Sequence, residues 1–227
     1  LYEEIYQQKG GTGMKKKGRI FGVTGNVILC IVALLVFIPL LWLVVSSFKS
    51  DADVIRWPPA FLPEEWLTSQ YEYVVEAIPI LSMLKNTVVF AGSVTLISLL
   101  FDSLAAYAFA RMEFRGKNVL FTIILLTMMV PFQIIMIPLY IEEYKLGILD
   151  TLLGLILPRA SGAYGIYMLT SFFSRIPKSL EEAARLDGLN NLQIYRRIVI
   201  PLSKPALISL GIYHFMNNWN DLLYPMM

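Results

Sequence analysis

The 227-residue chain has one cysteine and one histidine. Cys30 has no partner for an internal disulfide and, set in an apolar run, reads as a small buried hydrophobe. Cys30 and His214 are too few to build a metal cluster, so no metal is expected. Charge is also scarce. Only 16% of residues are Asp, Glu, Lys or Arg, against roughly a quarter in soluble domains. The net charge of +2 gives no basic field for nucleic acid; where the charges sit matters more than their sum. Catalytic constellations are missing as well, with no nucleophile–base triad and no HExxH. The nearest approach to a phosphate-binding loop, GMKKKGR at residues 13–19, ends in Arg-Ile instead of Lys-Ser/Thr and runs straight into an apolar segment. No catalytic residue and no cofactor is therefore expected, and any nucleotide hydrolysis must occur in another chain.

What is present is long apolar runs. A bilayer-crossing helix needs about 20 apolar residues, and five stretches qualify: 21–45, 86–110, 119–140, 152–173 and 206–224. The expected fold class is all-α, a polytopic membrane helical bundle. Residues 1–13 are polar and glycine-ended, and Met14 then opens MKKKGRIFG, so the first thirteen read as a disordered or non-native tail ahead of a 14–227 membrane domain. The first apolar run is too long for the core of a signal peptide and no A-x-A site follows it, so it reads as a retained span. With the N-terminus in the cytoplasm, the inner segments hold thirteen Lys and Arg: four at residues 15–19, three at 111–117 and six at 175–204. The outer segments hold only Lys49, Arg56, Lys85 and Lys145. The positive-inside rule therefore sets this orientation. The outer loop at 49–84 carries WPPAFLPEEW, with Trp57 and Trp66 suited to the interface and prolines stiffening the connection. The fifth run stops at YPMM, which suggests a sixth span beyond it.

One inner segment, SLEEAARLDGLNN at residues 179–191, is a polar island. Ser179 and Glu182 have capping-box spacing, Glu181 and Glu182 suit the helix dipole, and Gly188 stands where a left-handed cap ends the helix. A two-turn helix over residues 180–187 follows. A second is expected over 192–199, capped by Asn190 or Asn191, ended by Pro201, and apolar through Tyr195, Ile198 and Val199. Helices this short are marginal alone and must pack on something. The residues alone leave two readings level, a helix lying on the inner leaflet with its arginines at lipid phosphates and a docking element.

Glu182-Ala183-Ala184, then Gly188, then Ile198-Val199-Ile200-Pro201 resembles the EAA loop of ABC-importer permeases, E-A-A-x3-G-x9-I-x-L-P, departing only at Ile200. AAYAFARMEFRGKNVLF, MMVPFQIIMIPLY, GLILP and WNDLLYP are similar to the maltose-type, carbohydrate-transporting members. The resemblance implies six spans, five of them within this chain. It implies a short cytoplasmic coupling helix docking on an ATPase subunit through Glu182, Ala183, Ala184, Asp187, Gly188, Ile198 and Pro201. It also implies a second permease subunit as heterodimer partner, two ATP-binding subunits at the cytoplasmic face, an extracytoplasmic solute-binding protein, a sugar substrate, and a bacterial or archaeal plasma membrane. The two alanines would let another surface approach closely. A secondary ion-coupled carrier would need inverted repeats and several intramembrane carboxylates, and neither is evident; a membrane scaffold is the third reading.

Arg159 could line a substrate pathway and donate to sugar hydroxyls, or it could snorkel to the headgroups or hold a neighbouring subunit; the interface is close enough to favour the latter. Gln133, between Pro131 and Pro138, could face a pore or join helices, and both prolines should kink or interrupt the third span. Asn218 and Asn220 in MNNWND suit a carbohydrate, although an interfacial aromatic anchor is the commoner explanation of such a segment. Asp102 reads as a structural hydrogen-bonding residue inside the bundle.

Overall fold

A computed structural model describes residues 13–227. The expected tail, residues 1–13, lies outside these save for Gly13, where the first helix begins. The chain divides into two compact units, residues 1–80 and 81–227.

In the first unit α1 runs from Gly13 to Ser46. Its portion Gly25–Ser46 has a mean hydropathy of 3.2 and none of it is buried in the chain. Cys30 is exposed there, not buried as its composition suggested, because this stretch of α1 turns its apolar side chains outward all round. Pro39 sits inside the helix without ending it, as membrane helices tolerate. The connection that follows is folded as well as proline-stiffened. Ser50 caps α2 (Asp51–Val54), accepting from the Asp53 amide. Lys49 is buried; its Nζ donates to the Ala60 carbonyl at 2.6 Å and lies 4.5 Å from the Trp42 ring centroid. Asp53 accepts from the Glu64 amide. Phe48 packs on Trp66 and Tyr71, the latter in α3 (Ser69–Ala77). Trp57 and Trp66 are exposed.

The second unit is carried by α4 (Ile80–Arg111), among the described residues the other continuous helix long and apolar enough to cross a membrane. Of the remaining three expected spans, the third and fourth are broken helices, and the fifth begins at a sharp bend from the loop helices. α5 (Lys117–Thr127) and α6 (Phe132–Leu146) meet at 99°. Pro131 stands at the break because its missing N–H suits the start of α6, whereas Pro138 lies within α6. α7 (Leu152–Ile156) passes through a 3₁₀ turn, Leu157–Arg159, and joins α8 (Ala163–Phe173) at 42°. After the loop helix α9 (Lys178–Leu186), α10 (Asn191–Ile194) widens into a π turn, Tyr195–Val199, and ends as α11 (Ile200–Leu202). α12 (Lys204–Trp219) leaves it at 79°. Two expectations fail here. Pro201 does not end the second loop helix, because the π turn just before it opens room for a residue that lacks an N–H and crowds the preceding turn. The fifth helix stops at Trp219 instead of Tyr224; Asn220 donates back to Met216 O, and the chain then turns so that Tyr224 is buried.

The core sits where the ends of α4, α8 and α12 meet the loop. Ala106 and Tyr107 from α4, Leu169 and Phe173 from α8, and Leu210 from α12 pack with Ala184, Ile194, Tyr195 and Val199 of the loop elements. A smaller cluster gathers Phe90, Val94 and Tyr224, with Phe132 and Leu155 against it.

Candidate functional site

The loop helix α9 has one side fixed to the bundle and one side bare. Its N-terminus is not a capping box: Pro177 occupies the cap position with no side-chain bond, the helix starts two residues early at Lys178, and Ser179 falls inside the first turn. Glu181 instead turns inward and sits 3.0 Å from Arg111 at the end of α4, both side chains nearly fully buried. The Arg111 Nε–H is not aimed along that contact, and its Nη2 donates to the Phe173 and Ile176 carbonyls that close α8. Ala184 is buried in the chain's own core, so only Ala183 of the pair faces outward; the expectation that both alanines admit a foreign surface is corrected by that inward packing. Glu182, Asp187 and Gly188 are exposed, and Leu186 is 90% exposed.

The end of α9 is as the sequence indicated. Gly188 has φ +81°, the left-handed region in which a Cβ is penalised. Its N–H donates to Arg185 O and the Leu189 N–H to Ala184 O, closing the last turn. Asn190 then caps α10 in a reciprocal capping box with Gln193. Arg185 donates to the Asn191 side chain, linking the two loop helices. Ile198 is partly buried against the core, and Pro201 is exposed.

A second set of polar groups gathers at the break between α7 and α8. Asp102, fully buried on α4, accepts from Ser161 Oγ at 2.7 Å and from the Gly162 amide at 2.8 Å, and lies 3.0 Å from His214 Nε2 on α12. One carboxylate therefore satisfies the start of α8 and ties two further helices, the structural role expected of it. Arg159 neither snorkels nor lies free. Its Nη1 donates to Asn218 Oδ1 at 2.8 Å, its Nη2 pairs with Asp221, and its guanidinium lies 4.4 Å from the Tyr224 ring centroid. Ser98 donates to its carbonyl. The Tyr224 hydroxyl reaches both Glu143, a buried carboxyl, and Gly154 O. Of the four candidate pathway residues, Arg159 and Asn218 come together; Gln133 and Asn220 are exposed elsewhere, Asn220 closing its own helix end. Composition alone did not find the partners Glu181, Asp221 and Glu143, because each pairing joins residues 62 to 81 positions apart or a charge that also reads as a helix-dipole residue.

Two kinds of helix are thus combined, continuous apolar spans and broken ones, one of them broken around a buried polar cluster, with a polar loop helix anchored on the core of the second unit. This is the architecture of a membrane transport subunit. The profile of the family described as "binding-protein-dependent transport system inner membrane component" matches residues 102–226, and the chain belongs to that family. Among its relatives, the trehalose transport system permease protein SugB of Mycobacterium tuberculosis is 35% identical over 188 residues, covering 82% of this chain and 68% of the relative. The arabinooligosaccharides transport system permease protein AraQ of Halalkalibacterium halodurans is 31% identical over 198 residues, covering 86% and 71%. A solved bacterial ABC transporter "involved in the import of the acidic polysaccharide alginate" superposes with a TM-score of 0.76 at 34% identity, covering 90% of this chain and 72% of that one. The chain is a multi-pass plasma-membrane permease subunit of an ATP-driven ABC importer, and hydrolysis belongs to a separate ATPase subunit. The carrier and scaffold readings fall with that membership.

Proposed function

We propose that this permease moves a sugar or oligosaccharide by alternating access, paired with a second, similar permease as a heterodimer. In this reading two ATPase subunits engage its cytoplasmic face, a solute-binding protein docks outside, and its N-terminus is cytoplasmic. The sugar assignment is supported by relatives named for trehalose and arabinooligosaccharide transport. The observation that carries the coupling reading is the two-sidedness of α9. Glu181 and Ala184 lock one side into the bundle, while Glu182, Ala183, Leu186, Asp187 and Gly188 present an uncovered surface with an apolar tip. That surface suits a cleft in an ATPase subunit, and closure of the ATPases would move the spans as rigid bodies. Ile198 and Pro201 would act from behind, keeping the second loop helix seated on the core.

The test is purification of the full-length transporter with identification of what accompanies it, followed by ATP-dependent uptake in vesicles. An ATPase and a solute-binding protein are expected to co-purify. Gly188→Arg is expected to abolish uptake and release the ATPase while the permease remains inserted in the membrane. Normal uptake by that variant overturns the coupling role of α9.

A further inference from the structure

The second loop helix, Asn191–Leu202, meets α12 at 79°. Spans tilt on average only about 20° from the bilayer normal. A helix nearly at right angles to α12 therefore runs close to the membrane plane, at the depth where α12 begins. Lys204 marks that depth. It heads an exposed apolar stripe of α12, Ile208, Ile212 and Met216, at intervals of four. The stripe meets hydrocarbon, and the Lys204 ammonium stands at the level of the headgroups.

This helix has one packed side and one open side. Ile194, Tyr195, Val199 and the Ser203 that follows are buried. Leu192 and Arg196, four residues apart, are exposed with Arg197 on the other side, and Leu202 and Lys204 are exposed at its end. Between Asn190 and Pro205 every charged residue is a cation, whereas the open surface of α9 mixes both signs. Among the described residues, Arg196, Arg197 and Lys204 join no ion pair. Exposed leucines beside such cations, on a helix lying in the membrane plane, are the make-up of an interfacial helix, whose apolar side chains reach the acyl boundary while its basic ones take phosphates.

From this geometry we propose that Leu192, Arg196, Arg197, Leu202 and Lys204 form a ledge that binds anionic phospholipid headgroups in the leaflet where α12 begins. The planar donor forks of Arg196 and Arg197 match phosphodiester oxygens, and Lys204 adds a point charge. The two leucines enter the acyl boundary. A zwitterionic headgroup offers the same phosphate with its charge cancelled, so anionic lipid is preferred, by about fivefold for each basic residue. The seated lipid braces the loop from its open side, opposite the core. The leaflet reading that the sequence left open thus falls to the second loop helix, and α9 is left free for docking. The ledge depends neither on the sugar assignment nor on which leaflet faces the cytoplasm. The runner-up, that an ATPase subunit covers this face, predicts a different response to the same substitutions.

The experiment uses the complete transporter, with its partner permease and ATPases, in nanodiscs of the same lipid composition on both faces. The probes are phosphatidylglycerol and phosphatidylcholine carrying the same diazirine high on one acyl chain. The readout is the ratio of the two lipids photocrosslinked to residues 192–212, located by mass spectrometry after proteolysis. The wild-type protein is expected to favour phosphatidylglycerol. Arg196→Gln, Arg197→Gln and Lys204→Gln are each expected to lower the ratio about fivefold, and Arg196→Lys, which keeps the charge, to retain most of it. Crosslinking of phosphatidylcholine itself should not fall, which separates lost headgroup binding from a displaced helix. Co-purification of the partner subunits should be unchanged in all variants. Equal crosslinking of the two lipids to the wild-type protein overturns the ledge, and so does an unchanged ratio in all three glutamine variants. Loss of the ATPase subunits from those variants, with neither lipid crosslinked to this stretch of the wild-type protein, assigns the face to a subunit contact and likewise overturns the proposal.

Discussion

Replacing Gly165 by alanine would push a methyl carbon into Asp102. A Cβ built there overlaps Asp102 Oδ2 outright and comes within 2.7 Å of its Cγ and 3.1 Å of His214 Nε2. Two relaxations are open. The carboxylate can swing away and give up Ser161 Oγ, the Gly162 amide and His214; at roughly 0.6 kcal/mol for a polar contact inside a membrane protein, three contacts amount to about 2 kcal/mol. Alternatively α4 and α8 separate, and overpacking of this kind costs about 1–3 kcal/mol. Both routes give about 2 kcal/mol. Alanine also favours a helix over glycine by roughly 1 kcal/mol, which masks part of the loss. Gly92→Ala on α4 supplies the correction, since a Cβ there meets nothing within 4 Å. The quantity to measure is therefore the difference between the two variants in unfolding free energy, obtained by titrating the reconstituted protein from lipid–detergent micelles into SDS. Gly165→Ala should be less stable than Gly92→Ala by about 2 kcal/mol. Equal stability of the two variants would show that Asp102 does not fill the space Gly165 leaves, and the account of the α8 start would be wrong.

Removing Arg111 strands Glu181 in a buried site, so Arg111→Ala should cost about 3–5 kcal/mol in the same titration. Glu181→Gln should cost clearly less, because Arg111 keeps the Phe173 and Ile176 carbonyls. Arg159→Lys should lower thermal stability of the assembled transporter, because one ammonium cannot reproduce a fork that holds Asn218 and Asp221 together; an unchanged melting profile would argue against the fork. Asn190→Ala removes half of a capping box and should cost about 1 kcal/mol, with exchange of the α10 amides, followed by deuterium uptake, accelerated before that of α4.

The apolar runs showed that the chain is a helical membrane bundle, and the polar island at residues 179–191 showed where its loop helix lies, because both signals are local. Gly188 was legible for the same reason: only one position after Leu186 suits a left-handed residue. The breaks were harder to see. Hydropathy averages over a window and passes through the Ser161–Gly162 interruption without registering it, although Pro131 did mark one bend. The N-terminal cap of α9 was misread because S-x-x-E spacing competes with a distant partner, and a buried ion pair with Arg111 draws Glu181 inward while Pro177 takes the cap. Arg159 was weighed against lipid and ligand; its actual partner, Asp221, stands in the turn after α12, beyond the reach of any periodicity argument.

The hold of Arg111 on the α8 end bears on how force travels. The four residues between α8 and α9 are tied at both ends, by carbonyls on one side and by Glu181 on the other. That connection is stiff. The exit from the loop is different: the wide turn at Tyr195–Val199 and the 79° bend at Ser203, where a buried hydroxyl has no partner among the described residues, stand between α9 and α12. A push on the loop helix therefore reaches α4 and α8 as through a strut, and α12 as through a joint, so the helices of one subunit need not move together.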